Sequence, residues 1–98
     1  MSAEKNVVPV ITSVRDDRGV IDNGGTTSAT SVQLSGVADA GEKVEIFDGA
    51  VLRGQVVVGA AGLWDSRLTS LMVGAHSVTA RGSAGTSPVR TFIVVPAK

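Results

Sequence analysis

Short segments in which apolar and polar residues alternate run through most of the chain, and turn residues separate them. Residues 31–38 alternate up to Gly36, which predicts a strand with Val32 and Leu34 on its inner face. Gly36 itself indicates a bulge or a close approach of two backbones. Because the period is two and no long helical pattern is present, the sequence predicts an all-β fold.

The pattern predicts about seven strands, with a turn roughly every 8 to 12 residues. The strands cover residues 7–14, 31–38, 43–47, 51–58, 63–68, a run after Gly74, and 89–95. Such spacing is typical of an antiparallel immunoglobulin-like or fibronectin III-like β-sandwich. We expect one domain over residues 7–96, between disordered tails at 1–6 and 97–98. Pro9 has no N–H, so the first strand is predicted at a sheet edge.

The Asp-Gly pair that ends in Gly49 is the strongest hairpin signal in the chain. If its loop has three residues, Ile46 pairs with Leu52. Glu45 then faces Arg53, which is a favourable pair of opposite charges. A two-residue loop would instead oppose Glu45 to Leu52.

A single large aromatic, Trp64, follows the turn residue Gly62 onto its strand. Sandwiches of this type bury one such ring between their sheets. An exposed indole would instead offer a stacking surface for a sugar. We predict that Trp64 is buried, and that exposure would favour a carbohydrate-binding role. The predicted core consists of Ile11 or Val10, Val14, Val32, Leu34, Val44, Ile46, Leu52, Val56, Trp64, Val78, Ala80, Phe92 and Val94.

The composition argues against several classes of function. Nine basic and nine acidic residues give a net charge of zero, so no basic field attracts a nucleic acid. The absence of cysteine excludes disulfides, zinc-thiolate sites and thiol nucleophiles. No apolar run approaches the roughly 20 residues that span a bilayer, and residues 1–6 lack the apolar segment of a signal peptide. Either the protein is cytosolic or the sequence is a piece of a larger protein, and we favour the second interpretation.

His76 is the only histidine, so no catalytic pair or multi-histidine metal site can form around it. We hypothesise that its imidazole N–H bonds to backbone near Leu71, as the hydroxyl of a tyrosine corner does. The chain contains no phosphate-binding glycine loop, and no paired carboxylates stand out. We therefore expect no enzymatic activity.

Three carboxylates, Asp16, Asp17 and Asp22, lie close together in the sequence and are candidates for calcium ligands. Arg15 and Arg18 neutralise the same turn. The spacing also matches no closed calcium loop, so a solvated charged turn is the simpler interpretation.

Several short patterns occur in a characteristic order. They are Val14-Arg15-Asp16-Asp17-Arg18-Gly19, Leu34-Ser35-Gly36-Val37-Ala38 leading to Gly41, Val44-Glu45-Ile46-Phe47-Asp48-Gly49 leading to Leu52-Arg53-Gly54, Gly62-Leu63-Trp64, Gly74-Ala75-His76, and Ala84-Gly85-Thr86-Ser87 before Phe92. In this order the chain resembles the bacterial immunoglobulin-like repeats of large surface adhesins and biofilm-associated proteins.

The resemblance implies a structural repeat or spacer that extends an adhesin from the cell surface and supports cell adhesion. It also implies an extracellular or surface location, neighbouring repeats as partners, a monomeric isolated domain, and calcium near repeat junctions. Two departures weigh against calcium. Where the family has an acidic pair after a threonine this chain has Thr27-Ser28, and where it has an aspartate before a turn this chain has Arg81-Gly82-Ser83.

Two other functions remain open at this point. One is a non-catalytic ligand- or carbohydrate-binding accessory module of a larger secreted protein. The other is a domain that adds a partner strand at an exposed sheet edge. Pro9 and Pro88 argue against strand addition, because prolines at edge positions interrupt pairing.

Overall fold

The computed structural model describes residues 8–96, and all regular structure within them is β-strand. In chain order the strands are β1 (Val10–Asp16), β2 (Gly19–Val20), β3 (Gly25–Thr27), β4 (Val32–Val37), β5 (Lys43–Asp48), β6 (Val51–Val57), β7 (Leu63–Leu68), β8 (Gly74–Gly82), β9 (Gly85–Thr86) and β10 (Arg90–Val94). Seven of these ten strands have five residues or more. Within these residues the structure contains no helix that could span a membrane. The predicted tails and the predicted strand start at residue 7 lie outside the described range.

The strands form two sheets that pack face to face. One sheet has the order β2-β1-β4-β7, and the other has the order β3-β10-β8-β5-β6 with β9 beside β8. The predicted all-β sandwich is therefore confirmed. One pair, β3 with β10, is parallel, so the second sheet is mixed and not purely antiparallel as predicted.

The parallel strand β3 lies outside the seven segments that the sequence predicted as strands. The Asn23 side chain accepts a hydrogen bond of 2.8 Å from the Thr91 N–H, and the Gly24 N–H donates to the Thr91 carbonyl. At the other end of β3, the Val95 N–H donates to the Thr27 carbonyl. These bonds join segments almost 70 residues apart in the chain, so the local sequence carries no sign of them.

The prediction that the first strand is a sheet edge is wrong. β1 lies between β2 and β4, and β10, which follows Pro88, lies between β3 and β8. Pro9 precedes β1, where no ladder hydrogen bond is required from it. Its ring is buried and packs against Gly82, where an added Cβ would lie 2.9 Å from the Pro9 Cγ.

The β5–β6 hairpin closes through a two-residue turn that begins at Gly49, whose φ of 62° suits glycine. Phe47 therefore pairs with Leu52. A bulge then shifts the register and places Gly54 opposite Ile46.

Both predicted registers of this hairpin are wrong. Glu45 pairs with Gln55. It therefore faces neither Arg53 nor Leu52. Leu52 was predicted in the core and is 50% exposed, because its partner Phe47 belongs to the outer face of β5.

The core lies between the two sheets and follows the predicted alternation in most strands. It consists of Ile11, Val14, Ile21, Val32, Leu34, Ala38, Val44, Ile46, Val58, Trp64, Leu68, Leu71, Val78, Ala80, Phe92 and Val94. In β1 the inward residue is Ile11, while Val10 is exposed. Val56 is partly buried against this cluster. Apart from Leu52, the predicted core is therefore found.

The described chain enters the sandwich at one end and leaves it at the other. Pro9 packs against Gly82 at the end we call the Pro9 end. Asp16 and Val95 both bond to Thr27, at distances of 2.6 and 2.8 Å, at the opposite end, which we call the Val95 end. Strand β1 runs between the two ends, and its seven residues span about 20 Å.

Trp64 of β7 packs over Gly36 of β4 between the sheets. The tryptophan is 4% exposed, and its indole N–H donates to the Val37 carbonyl at 3.2 Å. A Cβ at position 36 would lie 2.1 Å from the Val10 carbonyl oxygen and 2.3 Å from Trp64 Cζ2. Only glycine fits there, in agreement with the close approach that the sequence indicated.

We expect Gly36→Ala to lower the free energy of unfolding by about 3 kcal/mol, because the new methyl group overlaps backbone and indole. Gly54→Ala is the matched control. It also lies in a strand, its nearest contact would be 4.0 Å away, and its cost should stay within about 0.5 kcal/mol. Urea unfolding of the two variants measures the difference, and equal stabilities would contradict the close approach at Gly36.

Candidate functional site

The carboxylate of Asp16 connects the β1–β2 turn with the loop that follows β3. Its Oδ1 accepts hydrogen bonds from the N–H groups of Arg18 and Gly19 at 2.8 and 3.1 Å. Its Oδ2 accepts from the Thr27 hydroxyl. The same hydroxyl oxygen accepts a hydrogen bond from the Ala29 N–H at 3.0 Å. One carboxylate thus fixes two neighbouring segments at the Val95 end.

These hydrogen bonds favour the ionised form of Asp16. The bond from Thr27 is the main cause that lowers the pKa of this carboxyl below 3.8, and partial burial opposes it. The N–H groups of Arg18 and Gly19 and the nearby Arg18 charge lower the pKa further. The charged carboxylate therefore has both oxygens engaged by donors of its own chain.

The three calcium candidates do not converge. Across residues 8–96, no three histidine, cysteine, aspartate or glutamate side chains form a group that could hold a metal ion. Asp16 is committed to the turn, and Asp17 and Asp22 are exposed.

An open depression lies over this turn and the adjoining solvent face of the β2-β1-β4-β7 sheet. Three arginines line it, one from β1, one from the turn and one from β7, together with hydroxyl and amide side chains and the carboxylates of Asp16 and Asp17. These arginines are Arg15, Arg18 and Arg67, and the uncharged polar residues are Ser28, Thr30, Ser31 and Gln33. None of the residues that line it is aromatic.

His76 of β8 links the crossing loop to the β5–β6 hairpin. Its Nδ1 lies 2.5 Å from Asp48 Oδ2, and its Nε2 lies 2.7 Å from the Met72 carbonyl oxygen. The ring stacks on Phe92 with 5.3 Å between the ring centroids and 21° between the planes. The sequence predicted a bond from the imidazole N–H to backbone near Leu71, and the Met72 carbonyl occupies that position.

Both partners of the His76 ring are acceptors, so the protonated imidazole satisfies both by donating from each nitrogen. Burial disfavours the charged ring and lowers its pKa. The bonds to Met72 and Asp48 outweigh this, and the pKa of His76 is raised above 6.5. With both nitrogens engaged, the ring is held as a structural tie at this end of the sandwich.

The sequence named Asp16 and His76 but missed the residues that hold them. Thr27 and Asp48 lie 11 and 28 residues away from their partners. Of the predicted structural residues, Gly74 is the first residue of β8, with a φ of 131°. Gln33 and Arg67 were not singled out as site residues, because their position beside the turn depends on strand order.

No protein-family model matches the chain, and no curated protein matches it. Solved structures do match. A carbohydrate acetylesterase from Xanthomonas citri is 18% identical with a TM-score of 0.68, and the match covers 89% of this chain and 19% of the esterase. Fibronectin(III)-like modules of Clostridium thermocellum CbhA are 24% identical with a TM-score of 0.55, and the match covers 83% of this chain and 93% of the module.

At these identities the similarities show a shared fold, the fibronectin III-like β-sandwich. The chain spans about a fifth of the length of the esterase and most of the length of the CbhA module. A biofilm-associated protein BSP domain also matches, at 22% identity over 97% of this chain and 15% of that one. Its TM-score of 0.47 is too low to carry an argument.

The His76 contacts predict a pH-dependent stability. Because the folded-state pKa lies above 6.5, the protonated ring stabilises the fold fully below about pH 6.5, and this contribution is lost as the pH rises through the folded pKa. The free energy of unfolding, measured by urea titration, should therefore fall from pH 6.5 into the alkaline range.

The control for this experiment is His76→Gln, which removes the only histidine of the chain and should show a flat profile over the same range. Nitrogen NMR shifts of the ring give an independent reading. A neutral ring at pH 6.5 in the folded wild type, or equal pH profiles for the two proteins, would contradict the assignment.

Proposed function

We propose that this chain is a non-catalytic structural module of a larger bacterial surface or secreted protein. The module lengthens that protein and thereby supports adhesion. The observation that carries the proposal is the position of the two chain ends. Pro9 and Val95 lie at opposite ends of the sandwich, so modules joined through them extend in line. Neighbouring modules of the same parent chain are then its partners, and no cofactor takes part.

The strand arrangement suits a module under tension. β1 begins at the Pro9 end and lies in one sheet, while β10 finishes at the Val95 end and lies in the other. Force applied to both chain ends would pull β1 and β10 along their own axes, parallel to the strands with which they pair. The β1–β4 and β10–β8 ladders, each with five paired positions, then resist in shear, so that their hydrogen bonds are loaded together.

The burial of Trp64 supports a structural role over the carbohydrate-binding alternative that would use this ring. At 4% exposure the indole offers no face to a sugar. The similarity to fibronectin(III)-like modules of CbhA, of which the match covers 93%, also supports a self-contained module. An extracellular or surface location is part of the same proposal.

A series of one, two and three copies of the full chain, joined end to end without an added linker, tests the proposal. We expect small-angle X-ray scattering to show a maximum dimension that grows by a constant length with each copy. The reason is that each copy enters at the Pro9 end and leaves at the Val95 end.

A circular permutant opened between Ala60 and Ala61 is the control, because this exposed turn lies beside the Pro9 end and would place both new termini there. Tandem copies of the permutant keep the same core but should grow less in length. If the native series is no longer than the permutant series, the end-to-end arrangement is contradicted.

A further inference from the structure

We propose that the solvent face of the β2-β1-β4-β7 sheet at the Val95 end binds a polysaccharide that carries carboxylate groups. This binding function would be additional to the structural role and does not depend on it. The site is the open depression whose opposite walls are β1 and β7, and its two main contacts are Arg15 and Arg67.

The register of three strands places these arginines in one row. Arg15 is the partner of Gln33 on β4, and Gln33 is the partner of Arg67 on β7. Residues paired in this way project from the same face of a sheet. Both arginines are exposed, whereas the neighbouring residues Val14 and Leu68 are buried, so the row faces solvent. Two strand spacings, about 10 Å, separate the two arginine backbones.

Three arginines and two aspartates line the depression, so its positive charge exceeds its negative charge by one. Neither Arg15 nor Arg67 forms an ion pair with another residue in the part of the chain that the structure describes. Arg67 donates one hydrogen bond to the Ser31 hydroxyl at 3.1 Å, which uses one of the five N–H groups of its guanidinium. Each arginine therefore keeps a planar pair of donors for an external anion.

The turn and the loop beside the depression are held together before any ligand arrives. Asp16 accepts hydrogen bonds from the turn and from the Thr27 hydroxyl, which in turn accepts one from the Ala29 N–H. These bonds join the segment that carries Arg18 to the loop over residues 28–31. A site that is already ordered loses less conformational entropy on binding. Asp16 acts here as a positioning residue, because its own oxygens are engaged.

The chemistry of the lining favours an acidic polysaccharide. Two guanidinium groups match carboxylates in a bidentate geometry. The side chains of Thr30 and Gln33 and the exposed carboxylate of Asp17 can bond to sugar hydroxyls between them. A single-stranded nucleic acid would need aromatic stacking platforms, which the lining does not contain. An extended peptide would need a free sheet edge, and this surface is a sheet face.

Binding of the full chain to polygalacturonate at low ionic strength, measured by isothermal titration calorimetry, tests the proposal. We expect saturable binding that weakens with added salt, because the contacts are solvent-exposed charges. Arg15→Gln combined with Arg67→Gln should weaken binding at least tenfold, since two charge-assisted contacts are lost. Lys43→Gln combined with Arg81→Gln removes the same charge from the other sheet and should leave the affinity unchanged.

Two further probes test whether binding requires both the carboxylate and the sugar chain. Fully methyl-esterified polygalacturonate has the same sugar chain without the charge, and polyglutamate has the charge on a peptide. Both should bind at least tenfold more weakly than polygalacturonate. Thermal unfolding of both double variants checks that each is folded. No binding to polygalacturonate, equal loss in both double variants, or equal affinity for either probe would overturn the proposal.

Discussion

The packing of Trp64 over Gly36 is the contact on which the sandwich depends. The indole fills the space between the sheets near the Pro9 end, and the bare backbone of Gly36 leaves room for both the ring and the Val10 carbonyl. The indole N–H is satisfied by the Val37 carbonyl, so the ring is buried without an unpaired donor. Residues of β1, β4 and β7 are therefore all in contact here, and the fully buried aliphatic residues extend the core toward the Val95 end.

Polar contacts join neighbouring loops and turns at the Val95 end. Asp16 joins the β1–β2 turn to the loop after β3, and His76 joins the crossing loop to the β5–β6 hairpin. Each tie consists of a charged group with several partners, which is stronger than a neutral hydrogen bond. The end from which the chain leaves is thereby ordered, as the proposed transmission of force and the proposed arginine site both require.

Much of this fold could be predicted from the alternation of apolar and polar residues. The seven long strands, the buried Trp64 and the inner faces of β4 and β8 follow from period and composition, because each is a local property of the chain. Strand β3 could not be predicted, because its partners in β10 lie almost 70 residues away. The bulge beside Ile46, which exposes Leu52, is likewise set by pairing across the hairpin and not by the Asp-Gly signal. The row of Arg15, Gln33 and Arg67 appears only once strand order is known.

Trp64 is the only tryptophan, so intrinsic fluorescence reports on the central contact alone. The measurement is quenching by acrylamide and iodide, in the folded protein and across a urea titration, followed beside far-UV circular dichroism. The account predicts blue-shifted emission that resists both quenchers until the strands unfold, with the two signals changing in one transition. Red-shifted emission that is readily quenched in the folded protein would contradict it.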